Sequence, residues 1–251
     1  MRIDYPRQEQ LPQLQRLWKE AFRDTDATVD AFFHTAFAPD RCRCVTVDGR
    51  VAAALYWFDC RCYGKPIAYL YAVATERSFR RKGVCRKLME DTRRLLTELG
   101  YWGILLVPGD KGLVRMYEGM GYQHCCGIGE FSCRQSGSSL PLRSVSGAEY
   151  ARLRREKLPM GGVIQERENL SFLETQAELY AGDGFLVAVA KATNSFLALE
   201  LLGDREAAGD ILTTLGKKEG VFRTPGNDRY FTLYLSLQNL PMPEYFGLAF
   251  D

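Results

Sequence analysis

Hydrophobic positions near the start of the chain first follow a helical spacing and then change to strand-like runs. Apolar side chains recur every three or four residues over 11–22, and a second such pattern covers 27–37, which predicts two amphipathic helices. Residues 41–60 form two apolar runs separated by Asp48-Gly49, a dipeptide typical of two-residue hairpin turns. A third strand is predicted over 65–75.

The spacing of hydrophobic residues changes again after Gly83, from a strand-like to a helical pattern. The apolar residues then follow one face of a predicted helix, and Gly100 is expected to end that helix as a C-cap. A short apolar strand over 103–108, a short helix over 112–122 and a strand over 124–133 are predicted next.

Two pairs of segments suggest that the second half of the chain repeats the first. Residues 95–110 and 211–228 both combine a helix end, a Leu-Gly pair, a short apolar run and a Pro-Gly pair. Residues 42–58 and 184–202 both have an apolar strand, a polar turn and another apolar strand. We interpret these pairs as two copies of one fold, the alternative being chance similarity of common strand–turn–strand pieces.

A stretch rich in serine and glycine over 134–147 is typical of a linker. The sequence therefore predicts a first domain over 1–138 and a second, degenerate domain over 139–251.

One segment distinguishes the two copies. "ATERSFRRKGVCRKL", residues 74–88, has six basic side chains and one acidic side chain around Gly83. The second copy runs from its strand directly into its helix without such a loop. The loop is therefore not needed to form the fold, which indicates that it binds a ligand.

A strand, a glycine and a helix start together form a common site for phosphate groups. The first amides of a helix have no partner within the helix, and its dipole favours an anion there. Gly83 has no Cβ to block a close approach, and neighbouring basic residues add charge. The motifs GxxxxGK[ST] and GxGxxG are absent, so the prediction is a diphosphate-like group of another ligand class. A merely solvated basic loop is the alternative.

Composition and charge argue against several classes of partner and site. The 251 residues are 46% hydrophobic with a net charge of +2, which argues against nucleic-acid and membrane partners. No apolar run approaches the ~18 residues of a membrane span, and the polar residues 1–10 do not resemble a signal peptide, so we expect a cytoplasmic protein. The eight cysteines and two histidines lack zinc-site spacing, so we expect reduced thiols and no metal.

The segment "YLYAVATERSFRRKGVCRKLMEDT" resembles the acyl-CoA-binding motif of the GNAT superfamily of N-acetyltransferases. Arg80-x-x-Gly83-x-Cys85 matches the family pattern Arg/Gln-x-x-Gly-x-Gly/Ala except for its last residue. The resemblance implies an α/β (α+β) GNAT fold, with a central mixed, mostly antiparallel sheet flanked by helices. The degenerate second copy is similar to the tandem domains of enhanced-intracellular-survival-type acetyltransferases.

The resemblance also implies acetyl-CoA as cosubstrate and assigns residues to it. The loop amides and side chains that would hold the diphosphate are Arg80, Arg81, Lys82, Gly83, Val84 and Cys85. The strand residues whose backbone would pair with the pantetheine arm are Ala72, Val73 and Ala74.

Two residues have catalytic roles by the same resemblance. "LVRMYEGMGY" is similar to the family segment FYxxxGF, which makes Tyr117 the candidate acid for the thiolate. The backbone N–H of Val73 is the candidate donor to the thioester oxygen. Packing in an apolar core is the alternative role of Tyr117, while Tyr71 and Tyr122 are interpreted as packing residues.

The general base and the acceptor are left open. Glu76, Asp59 and Glu130 each have the character of a surface carboxylate, and entry of Asp251 into the site is a hypothesis suggested by the resemblance. A further hypothesis makes the second copy a wall of the acceptor pocket, through aromatic residues such as Phe222, Tyr230, Phe231, Tyr245 and Phe246.

The sequence as a whole predicts an acetyl-CoA-dependent N-acetyltransferase that acts on a primary amine of an unidentified small molecule. The alternative is a non-catalytic acyl-CoA-binding or regulatory module. The expected partner is the amine; nucleic acid and membrane are not expected, and a homo-oligomer is left open.

Overall fold

The structure is a computed structural model that describes residues 1–191 and 195–250, except the side chain of Phe231. The helices are α1 (Leu11–Phe22), α2 (Asp26–Thr35), α3 (Val84–Glu98), α4 (Lys111–Glu118), α5 (Gly147–Lys157), α6 (Glu168–Gln176) and α7 (Ala208–Thr214). The strands are β1 (Arg2–Asp4), β2 (Cys42–Val47), β3 (Arg50–Cys62), β4 (Lys65–Thr75), β5 (Gly103–Leu106), β6 (Gln123–Arg134), β7 (Arg143–Ser144), β8 (Ile164–Gln165), β9 (Ala177–Gly182), β10 (Phe185–Ala190), β11 (Phe196–Gly203), β12 (Glu219–Pro225) and β13 (Arg229–Ser236).

All these strands belong to one sheet in the order β1-β2-β3-β4-β5-β13-β6-β12-β11-β10-β9-β7, with β8 against β3. In each half three antiparallel strands are followed by a helix and a parallel strand: β4 pairs with β5 across α3, and β11 pairs with β12 across α7. The remaining pairs are antiparallel, so the predicted mixed, mostly antiparallel sheet with two similar halves is confirmed.

The two halves exchange their last strands. β13, from the second half, lies between β5 and β6, and Leu233 is opposite both Leu106 and His124. β6, from the first half, lies between β13 and β12. Each half thus completes the sheet of the other. The predicted domain boundary at residue 138 stays a prediction. Because β6 and β13 each pair with strands of the other half, dividing the chain at this residue does not divide the sheet into two separate parts.

Several local predictions are confirmed by the backbone. Asp48 and Gly49 connect β2 to β3 with φ values of 47° and 77°, as expected for a two-residue turn in which both residues are left-handed. α3 ends before Gly100, whose φ of 82° and bonded amide form the expected C-cap. α2 ends two residues earlier than predicted, and α4 ends at Glu118 because Gly119 and Gly121 follow it.

The sheet separates its apolar residues into layers. One face of the first half packs against α3 and α4 and includes Leu70, Leu88 and Tyr117. The opposite face packs against α1, α2 and α6 and continues into the second half and the C-terminal segment. A third cluster lies beneath α7. The eight cysteines are free; six are buried in the core, as small apolar residues often are.

The exchanged strands predict that the halves unfold together. Leu233 is fully buried in β13, and Leu233→Ala should lower the free energy of unfolding by about 3 kcal/mol. The three tryptophans, Trp18, Trp57 and Trp102, all lie in the first half, so their fluorescence reports on it during denaturant unfolding. If Leu233→Ala left the denaturant midpoint of the tryptophan fluorescence unchanged, this would contradict the prediction that the two halves unfold together.

Candidate functional site

A bulge in β4 marks the centre of the candidate site. Tyr56 is opposite Tyr71 and Ala54 is opposite Ala74, so one residue of β3 faces both Ala72 and Val73. Ala72 has a left-handed φ of 48°, which costs an alanine about 1–2 kcal/mol. Strain of this kind is often found at binding and catalytic sites.

β4 continues beyond its neighbour β5. The parallel pairing runs from Ile67 with Gly103 to Leu70 with Leu106, where β5 ends. Residues 72–75 of β4 have no strand partner on this side within the described chain. The backbone groups of Ala72, Val73 and Ala74 therefore border a gap that an extended ligand could fill by hydrogen bonding.

The loop after β4 leads to an open helix start. Gly83 is the N-cap of α3 with a left-handed φ of 74°, and no described side chain caps the helix. A Cβ placed on Gly83 would meet nothing within 4 Å, so the space in front of it is open. The first amides of α3, from Val84 onward, therefore present unpaired donors to that space.

Three cations surround this helix start. Arg80 is fixed by the bond that its Nε donates to the Thr75 carbonyl, at 2.9 Å, and Lys82 lies over the Phe79 ring at 5.8 Å from the centroid. Arg81 is exposed and has a left-handed φ of 59°. Their charge adds to that of the helix dipole, so the site is suited to a phosphate-bearing ligand.

Tyr117 lies on α4 in the same apolar layer as Val73, Val84 and Cys85. Asp110 caps α4 by accepting the Leu113 amide at 2.8 Å, which fixes the helix over the sheet. Burial raises the pKa of the Tyr117 hydroxyl, and the nearby Cys85 thiol raises it further. The hydroxyl therefore stays protonated and can donate a proton at neutral pH.

Cys85 takes the position where the family motif has glycine or alanine. Burial raises the pKa of its thiol, while a hydrogen bond with Thr75 has a smaller opposite effect. The thiol is thus neutral, and it lies close enough to Tyr117 for the two groups to influence each other. The departure from the motif places a neutral side chain, not a charged thiolate, beside the helix start.

Asp59 and Glu76 are both engaged in structural contacts. Burial favours a higher pKa for Asp59, but hydrogen bonds from Arg41, at 3.0 and 2.9 Å, and from Tyr101 lower it overall. Glu76 caps the turn after β4 by accepting the Ser78 hydroxyl at 2.8 Å, which lowers its pKa. Neither carboxylate has the raised pKa typical of a general base.

Glu130 is also separate from this layer. Glu130 pairs with Arg223 and Arg229, each at 3.4 Å, on the outer part of β6. Asp251 lies outside the described residues, so its entry into the site stays a prediction.

The face of β4 opposite Tyr117 is lined with aromatic rings. Tyr71 lies next to the bulge, and its ring is 5.7 Å from that of Phe250 and 6.0 Å from that of Phe172. Phe246 packs on Tyr69 at 4.7 Å. Of the second-half aromatics proposed for this wall, Phe246 and Tyr245 lie in this layer, whereas Phe222 lies beneath α7 and Tyr230 is exposed. The Phe231 side chain lies outside the described part.

Neither a membrane-spanning helix nor a group of three metal-ligating side chains occurs among the described residues.

Comparisons with known proteins bear on the family and the fold. Residues 2–125 match the family model described as an acetyltransferase (GNAT) domain. Residues 2–125 therefore form a GNAT-superfamily domain, as the motif suggested. No curated protein matches the sequence.

Solved structures show the same fold over nearly the whole chain. A GCN5-related N-acetyltransferase from Kribbella flavida aligns with a TM-score of 0.73 and 17% identity, covering 94% of this chain and 71% of that chain. Another GCN5-related N-acetyltransferase, from Anabaena variabilis, aligns with a TM-score of 0.73 and 14% identity, covering 93% of this chain and 72% of that chain. Eis1 from Mycobacterium abscessus aligns with a TM-score of 0.67 and 11% identity, covering 94% of this chain and 74% of that chain. The predicted resemblance to tandem GNAT proteins is thus confirmed for the fold.

The open helix start leads to a prediction about Gly83. Gly83→Ala should lower the free energy of unfolding by about 1 kcal/mol, because a left-handed φ disfavours a Cβ even where nothing touches it. Gly83→Asn should cost less, because asparagine tolerates this conformation. Denaturant titration of both variants tests this, and equal stability of Gly83→Ala and the wild type would contradict the backbone geometry.

Proposed function

We propose that the protein transfers an acetyl group from acetyl-CoA to a primary amine of a small molecule. The observation that carries the proposal is the coincidence of the β4 gap, the open helix start at Gly83 and the buried Tyr117 in one layer. Each of these features meets a different requirement of acetyl transfer. The degenerate second half lacks the basic loop in its sequence, and its described residues include no counterpart of α4.

The cofactor-binding part of the proposal assigns two regions of backbone. The amides of Gly83, Val84 and Cys85 would hold the diphosphate, with Arg80, Arg81 and Lys82 supplying positive charge. The free edge formed by Ala72, Val73 and Ala74 would pair with the amide groups of the pantetheine arm, as a strand pairs with its neighbour. The open space at Gly83 and the unpaired edge both fit such a ligand.

The catalytic part assigns two donors. The Val73 N–H would bond to the thioester oxygen as negative charge develops there. The Tyr117 hydroxyl, which is protonated at neutral pH and lies in the same layer as Val73, would give its proton to the departing thiolate. The amine would approach from the opposite face of β4, where Tyr71 and Phe250 lie.

The amine must lose a proton, because an alkylamine with a pKa near ~10 is mostly charged at neutral pH. Asp59, Glu76 and Glu130 are committed to other contacts, so Asp251 is the carboxylate that we propose to test, by Asp251→Asn. A loss of turnover that is relieved at higher pH would support a base role.

The charge of the loop predicts a specific loss of affinity. Arg81→Gln should weaken CoA binding about fivefold, because one exposed charge near a phosphate contributes roughly 1 kcal/mol. Arg16→Gln, on the exposed side of α1, is the matched control and should leave affinity unchanged. Isothermal titration calorimetry with CoA measures both. Equal affinities of Arg81→Gln and the wild type, or no binding to any form, would argue against the loop site.

Tyr117→Phe separates catalysis from binding. The variant should lower kcat about tenfold to hundredfold because the thiolate loses its acid, while the Kd for CoA stays unchanged. Tyr122→Phe is the control, since its ring lies 5.7 Å from that of Tyr117 in the same buried layer. The assay is thiol release from acetyl-CoA with a panel of primary amines. Full activity of Tyr117→Phe would remove the assigned acid, and CoA binding without turnover in the wild type would favour the non-catalytic module.

A further inference from the structure

The C-terminal segment, residues 245–250, crosses from the second half to the candidate site. At its far end the Phe250 ring packs on Phe172 at 4.8 Å and on Tyr71 at 5.7 Å. The Phe250 amide donates to the Tyr69 hydroxyl at 3.3 Å. The segment therefore forms part of the face of β4 next to the bulge at Ala72.

The near end of the segment is tied to a buried charged cluster in the second half. The Tyr245 hydroxyl donates to Glu200 at 3.0 Å, and Tyr150 donates to the same carboxylate at 3.1 Å. Arg154 binds both oxygens of Glu200, at 2.7 and 2.9 Å, and also donates to the Val163 carbonyl. Glu200 is 0% exposed and Arg154 is 2% exposed.

The backbone of the segment passes directly over this cluster. A Cβ on Gly247 would lie 2.0 Å from the Tyr245 hydroxyl oxygen and 2.5 Å from Glu200 Oε1, so a larger residue cannot occupy the position unless these buried side chains or the segment itself move. Further along, Gln165 donates to the Leu248 carbonyl at 2.6 Å. The segment is thus held at fixed points between the cluster and β4.

A buried ion pair is a costly means of filling a core. Removing two charges from water is unfavourable, and apolar side chains of similar volume often serve stability as well or better. The charged cluster adds directional hydrogen bonds, because each carboxylate oxygen of Glu200 accepts hydrogen bonds only from defined positions. Its bond to Tyr245 therefore specifies where the C-terminal segment begins.

We propose that Glu200, Arg154 and Tyr245 are positioning residues for acetyl transfer, which fix the C-terminal segment against β4 and so shape the acceptor face. The inference rests on the proposed function. It also assigns a role to the degenerate second half, because the side chains of the cluster lie in α5, in β11 and in the C-terminal segment itself.

Two tyrosines of the cluster supply a matched pair of variants. Tyr245→Phe and Tyr150→Phe each remove one hydrogen bond to Glu200, but only Tyr245 belongs to the C-terminal segment. Gly247→Ala places a methyl group against the Tyr245 hydroxyl and Glu200, so it should disturb their contact with the segment. Hydrogen–deuterium exchange of residues 246–250 should rise in Tyr245→Phe and Gly247→Ala and stay at the wild-type rate in Tyr150→Phe.

Activity is then measured by thiol release from acetyl-CoA with the same panel of primary amines. We expect kcat to fall about tenfold in Gly247→Ala and about threefold in Tyr245→Phe, with an unchanged Kd for CoA and near wild-type turnover in Tyr150→Phe. Equal loss in both tyrosine variants would indicate a general stabilising role and overturn the inference, as would full activity of Gly247→Ala.

Failure of the proposed function gives a different result. Wild-type protein would then bind no CoA in calorimetry, or would bind CoA without releasing thiol with any amine of the panel, whatever the exchange rate of residues 246–250. An active wild type whose Gly247→Ala and Tyr245→Phe variants match it in kcat would instead leave the proposed function intact and reject the positioning role alone.

Discussion

The pairing between β4 and β5 stops at Leu70 and Leu106, although β4 continues to Thr75, and the candidate site depends on this gap. A sheet that closed here would satisfy its own backbone groups and leave nothing for a ligand. The bulge at Ala72 keeps β4 paired with β3 while its other edge remains free. The same strand then leads into the loop that ends at Gly83, so the free edge and the helix start lie at one end of the sheet.

The arrangement of the second half supports this gap. β5 is a strand of only four residues, and its other edge is covered by β13 from the second half. Because β13 also pairs with β6, β5 is held by a partner that continues into the rest of the sheet. The second half thus contributes to the site although it has no basic loop of its own. The buried cluster around Glu200 extends that contribution to the opposite face of β4.

Local sequence signals predicted much of the first half. Asp48-Gly49 marked a turn, and the change of period at Gly83 marked the start of α3, because both depend on backbone conformations that few residues favour. Tyr117 and Val73 were assigned from a resemblance, and the structure places them in one layer. Their catalytic roles remain predictions.

Other features had no local signal. The bulge occurs in Ala72-Val73-Ala74, where no glycine, proline or asparagine indicates a left-handed residue. The exchange of β6 and β13 depends on pairing between distant strands, which a run of apolar residues does not specify. The approach of Phe250 to Tyr71, across most of the chain length, could not be predicted for the same reason.

The most direct test is a crystal structure of the protein with saturating CoA. The account predicts that the diphosphate accepts hydrogen bonds from the amides of Gly83, Val84 and Cys85, and that the pantetheine arm pairs with residues 72–74 of β4. CoA bound elsewhere, or an empty gap between β4 and β5 in crystals that contain it, would contradict the account.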